Sequence, residues 1–128
     1  MDKIAVVILT WNGCEMLRSF LPSVVRCSGT EGAKIYVADN GSTDASVDML
    51  RKEFPDVHLI ILKENLGFAE GYNLALQQVS AEYVVLLNSD VEVTEHWLAP
   101  LVSYMDAHPE AAACQPKIRS WRQKELFE

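Results

Sequence analysis

Tyr83-Val84-Val85-Leu86-Leu87 is a run of apolar and aromatic residues that stops abruptly at Asn88-Ser89-Asp90. A run without polar alternation reads as a strand buried on both faces, the pattern of a parallel sheet covered by helices. A carboxylate released where such a strand ends lies at the sheet's C-terminal edge, where open α/β folds bind their ligands. This stretch constrains the chain more than any other, and Asp90 is the first side chain it singles out.

The pattern recurs. Ile4-Ala5-Val6-Val7-Ile8-Leu9 ends at Thr10-Trp11-Asn12-Gly13, and Ile35-Tyr36-Val37-Ala38 ends at Asp39-Asn40-Gly41-Ser42-Thr43-Asp44. Val57 to Leu62 is a further strand, followed by the loop Lys63-Glu64-Asn65-Leu66-Gly67. Helical spacing separates these runs: Leu17, Phe20, Leu21 and Val24; then Val47, Leu50 and Phe54; then Tyr72, Leu76 and Val79. Pro22 is expected to break or kink the first helix. Thr94 is placed to cap a fourth helix with Trp97, Leu98, Leu101, Val102 and Met105 on its buried side, closed by Pro109. Val91-Glu92-Val93 and residues 112–118 read as extended, the latter as a fifth strand.

Strand starts near residues 4, 34, 57 and 83 give the cadence of βαβ units. The expected fold is therefore α/β, three-layered, with a mostly parallel sheet in a single domain over residues 1–128. At 128 residues and 49% hydrophobic content the chain is long enough to bury a core. The formal net charge of -7 argues against nucleic acid, whose phosphates demand Lys and Arg. Cys14, Cys27 and Cys114 are widely spaced and read as reduced thiols. With no apolar run of membrane-spanning length and no signal peptide, the chain is expected to be soluble and cytoplasmic. Trp121 to Glu128 carries aromatic residues that want a partner, and the segment reads either as a short terminal helix or as a cut through a larger domain.

In a parallel sheet all strand ends point the same way, so Thr10 and Asn12, Asp39 and Asn40, and Asn88 and Asp90 converge on one crevice. Neither the dinucleotide-binding G-x-G-x-x-G nor the P-loop pattern is present where it is needed. Gly67-Phe68-Ala69-Glu70-Gly71 opens a helix whose N–H groups suit a phosphate, or serves only as a close-packing turn. Ser42-Thr43-Asp44 reads as helix capping rather than catalysis.

Four ordered motifs carry a resemblance. Val7-Ile8-Leu9-Thr10-Trp11-Asn12, then Val37-Ala38-Asp39-Asn40-Gly41-Ser42-Thr43-Asp44, then Asn65-Leu66-Gly67-Phe68-Ala69 with Asn73, and finally Leu86-Leu87-Asn88-Ser89-Asp90 look like the inverting family 2 glycosyltransferases of GT-A fold, in particular their rhamnosyltransferase-like branch. The resemblance implies a nucleotide-diphospho-sugar donor, a saccharide or lipid-linked acceptor, and a role in polysaccharide and cell-envelope synthesis. It also implies peripheral contact of the full-length protein with the inner face of the membrane. It places Thr10, Trp11 and Asn12 around the nucleotide base, Asp39 on the base or ribose, and Asn65 and Gly67 beside the nucleotide and its phosphates. Asn73 is either part of that border or a helix residue bonded to the strand ends.

Asn88-Ser89-Asp90 matches the family's D-x-D motif with its first carboxylate replaced by an amide. An amide still bonds a ribose hydroxyl. Asp90 remains as ligand for a divalent metal, Mg²⁺ or Mn²⁺, bridging the diphosphate. Glu92 is either an outer contact of that ion or solvated surface. The family's general base has no counterpart before residue 128, so the chain is expected to hold the donor and not to transfer it. A non-catalytic nucleotide-binding module fits the same residues. A receiver-type signalling domain needs clustered acids where Thr10-Trp11-Asn12 stands, and only Lys117 is available for its lysine.

Overall fold

The computed structural model of the protein describes residues 1–123, 125 and 126. Strands and helices alternate: β1 (Asp2–Thr10), α1 (Cys14–Gly29), β2 (Lys34–Asn40), α2 (Ser46–Glu53), β3 (His58–Leu62), α3 (Phe68–Leu76), β4 (Ala81–Leu87) and α4 (Ala99–Ala107). The four strands form one sheet in the order β3-β2-β1-β4, with every pairing parallel. β1 lies inside, so its side chains are covered on both faces, and Val6 and Val7 are each 0% exposed.

Period-2 alternation sorts β1 into two cores. Ile4, Val6 and Ile8 pack with Leu17, Leu21 and Val24 of α1, Met49 and Leu50 of α2, and Leu98 ahead of α4. Val7 packs on the opposite side with Ala38, Ile60, Leu62, Tyr72 and Ala75, beneath α3. Each such fully buried aliphatic side chain contributes about 1.5–3 kcal/mol. The result is the expected three-layer arrangement.

Several expectations need correction. β4 is not buried on both faces: it is an edge strand, and α3 packs chiefly on β1, β2 and β3. Val84 and Leu86 consequently stand 41% and 52% exposed, while Val85 and Leu87 face the other core. Residues 112–118 form no strand and are largely exposed. Val91 to Val93 is irregular, fixed by Val93, whose N–H donates to the Ser23 hydroxyl at 3.2 Å.

Thr94 caps nothing in α4. That helix starts at Ala99, with Pro100 in its first turn, where the missing N–H costs nothing. Glu31 from the end of α1 supplies the cap, accepting from the Leu98 and Ala99 N–H groups at 3.0 and 3.1 Å. Pro22 does not end α1, which spans 16 residues from Cys14 to Gly29 with the proline inside it. Interior proline costs roughly 3 kcal/mol, and the burial of Leu17, Leu21, Val24 and Cys27 outweighs that. Val79 lies beyond the end of α3 but still packs on its core.

Trp121 finds its partner in Phe20, edge to face with centroids 5.8 Å apart. Lys124, Phe127 and Glu128, the rest of that aromatic-bearing segment, lie outside the described residues. Cys14, Cys27 and Cys114 are free thiols. Among the described residues no helix is long and apolar enough to cross a membrane.

Candidate functional site

From β1 the chain passes through α1 to β2 on one side, whereas β4 lies on the other side of β1. The strand order therefore reverses at the C-terminal ends of β1 and β4, the place where open α/β sheets form a crevice. Tyr72 of α3 holds that point. Its hydroxyl donates to the Leu87 carbonyl at 3.1 Å and accepts from the Leu9 N–H at 3.4 Å. The residues directly after these two anchors are Thr10 and Asn88.

Thr10 and Asp39 are register partners across β1 and β2. They are 3% and 1% exposed. One oxygen of Asp39, Oδ2, accepts from the Ser42 N–H at 2.9 Å. Its Oδ1 and the Thr10 hydroxyl are buried with no hydrogen-bond partner. Leaving such a group unmatched costs about 1–3 kcal/mol. Gly13 makes the close turn possible, because a Cβ there would stand 2.6 Å from the Thr10 hydroxyl.

Asn12 belongs to the scaffold of the site. It adopts φ 50°, its N–H donates to the Ser42 hydroxyl at 2.8 Å, and its Oδ1 accepts from the Thr43 and Asp44 N–H groups at 2.7 and 3.2 Å. Asp44 completes the tie. Its Oδ1 accepts from the Ser46 N–H at 2.9 Å at the start of α2, and its Oδ2 from the Cys14 N–H at 3.3 Å at the start of α1. Burial works to raise the Asp44 pKa, but the Ser46 hydroxyl and the two N–H groups outweigh it and hold the carboxyl below its usual range. Within Ser42-Thr43-Asp44, then, only Asp44 reaches N–H groups at the helix starts, whereas Ser42 and Thr43 bond Asn12. Trp11 is 53% exposed beside these loops. Together with Met16, Asp44, Ala45 and Ser89 it lines an open groove of about 640 Å³.

The loop after β3 is joined to the end of β2. Asn40 bonds Asn65, Leu66 and Gly67, and Gly41, at φ +75°, lies so close to the Glu64 and Asn65 backbone that a Cβ would come within 2.5–2.7 Å of it. Asn65 and Gly67 are exposed on its outer side. Asn73 is exposed on α3. Asn88 and Asp90 are exposed at the mouth, with Ser89 half-buried between them in the turn that follows β4. Glu92 is turned away to the Trp121 indole, whose Nε1–H donates to it at 2.8 Å.

Among the described residues no group of three or more His, Cys, Asp or Glu side chains is arranged to enclose a metal. A single exposed carboxylate, Asp90, suits an ion that takes its remaining ligands from phosphate oxygens and water, the habit of Mg²⁺. Spacing singled out Thr10, Asp39 and the strand ends. It placed Asn40 at the crevice without its bonds to the 65–67 loop, read Tyr72 only as part of a helix face, and gave Gly41 no role beyond its place in a motif.

The chain is similar to known proteins in sequence and in fold. An uncharacterized glycosyltransferase, YfnE, of Bacillus subtilis is 30% identical over 114 residues, covering 88% of this chain and 29% of its own length. The N-acetylglucosaminyl-diphospho-decaprenol L-rhamnosyltransferase of Mycobacterium tuberculosis is 26% identical, covering 92% of this chain and 42% of its own. Staphylococcus aureus TarS 1-349, solved in complex with UDP-GlcNAc, superposes with a TM-score of 0.71 at 24% identity, covering 84% of this chain and 32% of that one. The mannosyltransferase PcManGT of Pyrobaculum calidifontis, solved with GDP-Man and Mn²⁺, gives a TM-score of 0.70 at 22% identity, covering 91% of this chain and 34% of that one. The chain thus spans less than half the length of these relatives. The family model for glycosyl transferase family 2 matches residues 5–125, nearly the whole sequence, and the chain belongs to that family.

Proposed function

We propose that this chain carries the donor site of an inverting glycosyltransferase, of hexosyl or rhamnosyl type, that uses a nucleotide-diphospho-sugar in polysaccharide and cell-envelope synthesis. The observation that carries the reading is the pair of buried, partnerless oxygens on Thr10 and Asp39 at the point where strand order reverses. A nucleoside offers what they lack. An imide N–H or ribose hydroxyl donates to Asp39 Oδ1, and the Thr10 hydroxyl donates or accepts beside it.

Trp11 gives the base a flat apolar neighbour, and Asn88 bonds a ribose hydroxyl. Asn65 and Gly67 border the phosphates, and Asn12 holds the base-side loop in shape. Asp90 would hold Mg²⁺ or Mn²⁺, which would supply positive charge against the diphosphate as it leaves. In the transfer itself the acceptor hydroxyl attacks the anomeric carbon, its proton passes to a carboxylate base, and the nucleoside diphosphate departs with the bonding electrons. No residue of this chain is assigned as that base, so the 128 residues hold a donor without transferring it. The acceptor class is a saccharide or lipid-linked saccharide, which sets the full-length protein at the cytoplasmic face of the membrane. The decaprenol-linked acceptor in the name of the rhamnosyltransferase, and the name of the Staphylococcus epidermidis teichoic acid poly(glycerol phosphate) polymerase, 25% identical, support the acceptor class.

Thermal melting with UDP, dTDP and GDP, each with Mn²⁺, tests the reading. A ligand at a hundred times its Kd stabilises the folded state by about 2.7 kcal/mol, so one of the three raises Tm by several degrees, and Asp39→Asn loses most of that rise. A folded chain whose Tm moves with none of them overturns the donor site. Transfer by these 128 residues at the rate of a longer relative overturns the assignment of the base elsewhere.

A further inference from the structure

The loop that follows β3 is held in a conformation it would not adopt alone. Gly67 has φ +81° and ψ −178°, a region open essentially only to glycine and stable only when the surroundings over-determine it. The surroundings that do so converge on one side chain. Asn40, the last residue of β2, is 3% exposed. Its Nδ2 donates to the Gly67 carbonyl at 3.0 Å and to Asn65 Oδ1 at 3.3 Å, while its Oδ1 accepts from the Leu66 N–H at 3.0 Å. Asn65 Oδ1 in turn accepts from the Gly67 N–H at 2.8 Å.

Three consecutive loop residues thus hang on one carboxamide. The task needs a donor and an acceptor in one planar group, which Asn has and Asp and Leu lack. The neighbours make room for it: a Cβ on Gly71 of α3 would come within 3.0 Å of Asn40 Nδ2. The N–H groups of Leu66 and Gly67 are consumed in this network, so they are scaffold rather than contacts for a ligand.

We propose that Asn40 is a positioning residue for the donor. Buried beneath the 65–67 loop, it fixes the shape in which that loop borders the nucleotide and its phosphates, and the reading rests on the donor site proposed above. Asn40→Asp tests it, since the carboxylate keeps an acceptor for the Leu66 N–H and sets oxygen against the Gly67 carbonyl and Asn65 Oδ1.

The measurement is calorimetric titration of the 128-residue chain with UDP and GDP, each with Mn²⁺, at a temperature where the variant is fully folded. Amide NMR signals of residues 65–69 are followed in parallel. Affinity is expected to fall at least tenfold with those signals displaced and the Ser42 signal in place. A merely structural role lowers Tm and leaves the affinity of the folded chain within twofold, which overturns the proposal. Should Asn40→Asp not fold, Gly67→Ala carries the same test, because no atom lies within 4 Å of the added methyl and only the backbone of the loop is forced. Unchanged affinity in that variant likewise overturns the proposal. A wild-type chain that binds neither nucleotide overturns the donor reading itself, whereas wild-type binding with an unaffected variant overturns only the role of Asn40.

Discussion

Tyr72 donates its hydroxyl to the Leu87 carbonyl at 3.1 Å while accepting from the Leu9 N–H, and so joins the ends of β1 and β4 where the chain turns outward to Thr10 and Asn88. Burial raises the Tyr72 pKa, with the Leu9 N–H opposing, so the phenol remains a donor throughout the working pH range. Tyr72→Phe removes the partner of the buried Leu87 carbonyl and of the half-buried Leu9 N–H, at about 1–3 kcal/mol for a buried group left unmatched. Thermal unfolding is expected to shift down by roughly 4–10 °C. A shift under one degree removes the tie from the account of the site.

Gly41 and Gly32 share a left-handed backbone, at φ +75° and +78°, but not their surroundings. A methyl on Gly32 meets nothing within 4 Å, whereas one on Gly41 lies 2.5 Å from the Glu64 backbone. Gly32→Ala is expected to cost about 1–2 kcal/mol, the strain of the backbone alone. Gly41→Ala must also part the β2 end from the 64–65 loop, placing it among the exceptional substitutions above about 4 kcal/mol. Denaturant melts of the two variants check the ranking, and equal costs would refute the close approach.

Asp44 couples the starts of α1 and α2, and its carboxyl is held below its ordinary value of 3.8 by hydrogen bonds from Ser46 and Cys14 that outweigh its burial. A group with a depressed folded pKa stabilises fully above its unfolded pKa and loses that contribution as pH falls through the folded one. Asp44→Asn, which keeps one oxygen acceptor but loses the charge, is therefore expected to be less stable than wild type at pH 7. The gap should close as pH drops below 3.8. Urea melts across that range supply the test, and a gap independent of pH would assign the effect to something other than the charge.

Asp90 stands exposed in the turn after β4, so its removal touches binding rather than folding. Asp90→Ala is expected to leave the ligand-free stability within about 0.5 kcal/mol of wild type. The increment in Tm that Mn²⁺ adds to UDP or GDP should vanish, while the metal-free nucleotide increment persists. Asp39→Asn reduces both. An Mn²⁺ increment undiminished in Asp90→Ala moves the metal elsewhere.

The sheet and the gathering of polar residues at one of its edges were legible in the sequence because they follow from local patterns. Apolar runs such as Ile4 to Leu9 end at polar residues, and all parallel strands deliver those residues to one edge. What the pattern could not carry was anything set by a distant partner. Glu31 takes the capping role expected of Thr94 across 67 residues of chain. Asn40 read as one letter of a motif, yet its bonds go to the loop after β3. The largest misreading was β4, whose run Tyr83 to Leu87 reads the same whether one face or two are covered. Position in the sheet, not composition, separates those cases.

That difference can be measured on a pair of register partners. Val7 and Leu86 sit opposite each other in β1 and β4, and their exposures are 0% and 52%. Composition alone would rank the leucine, the larger side chain, as the costlier loss. The fold reverses the order: Val7→Ala opens a cavity between α3 and the sheet and is expected to cost about 2–4 kcal/mol. Leu86→Thr places a β-branched residue, well suited to a strand, at an exposed edge position and is expected to cost under about 0.5 kcal/mol. Chemical denaturation of the two variants gives the order directly. A Leu86→Thr chain destabilised as much as Val7→Ala would mean that β4 is covered on its α3-side face after all.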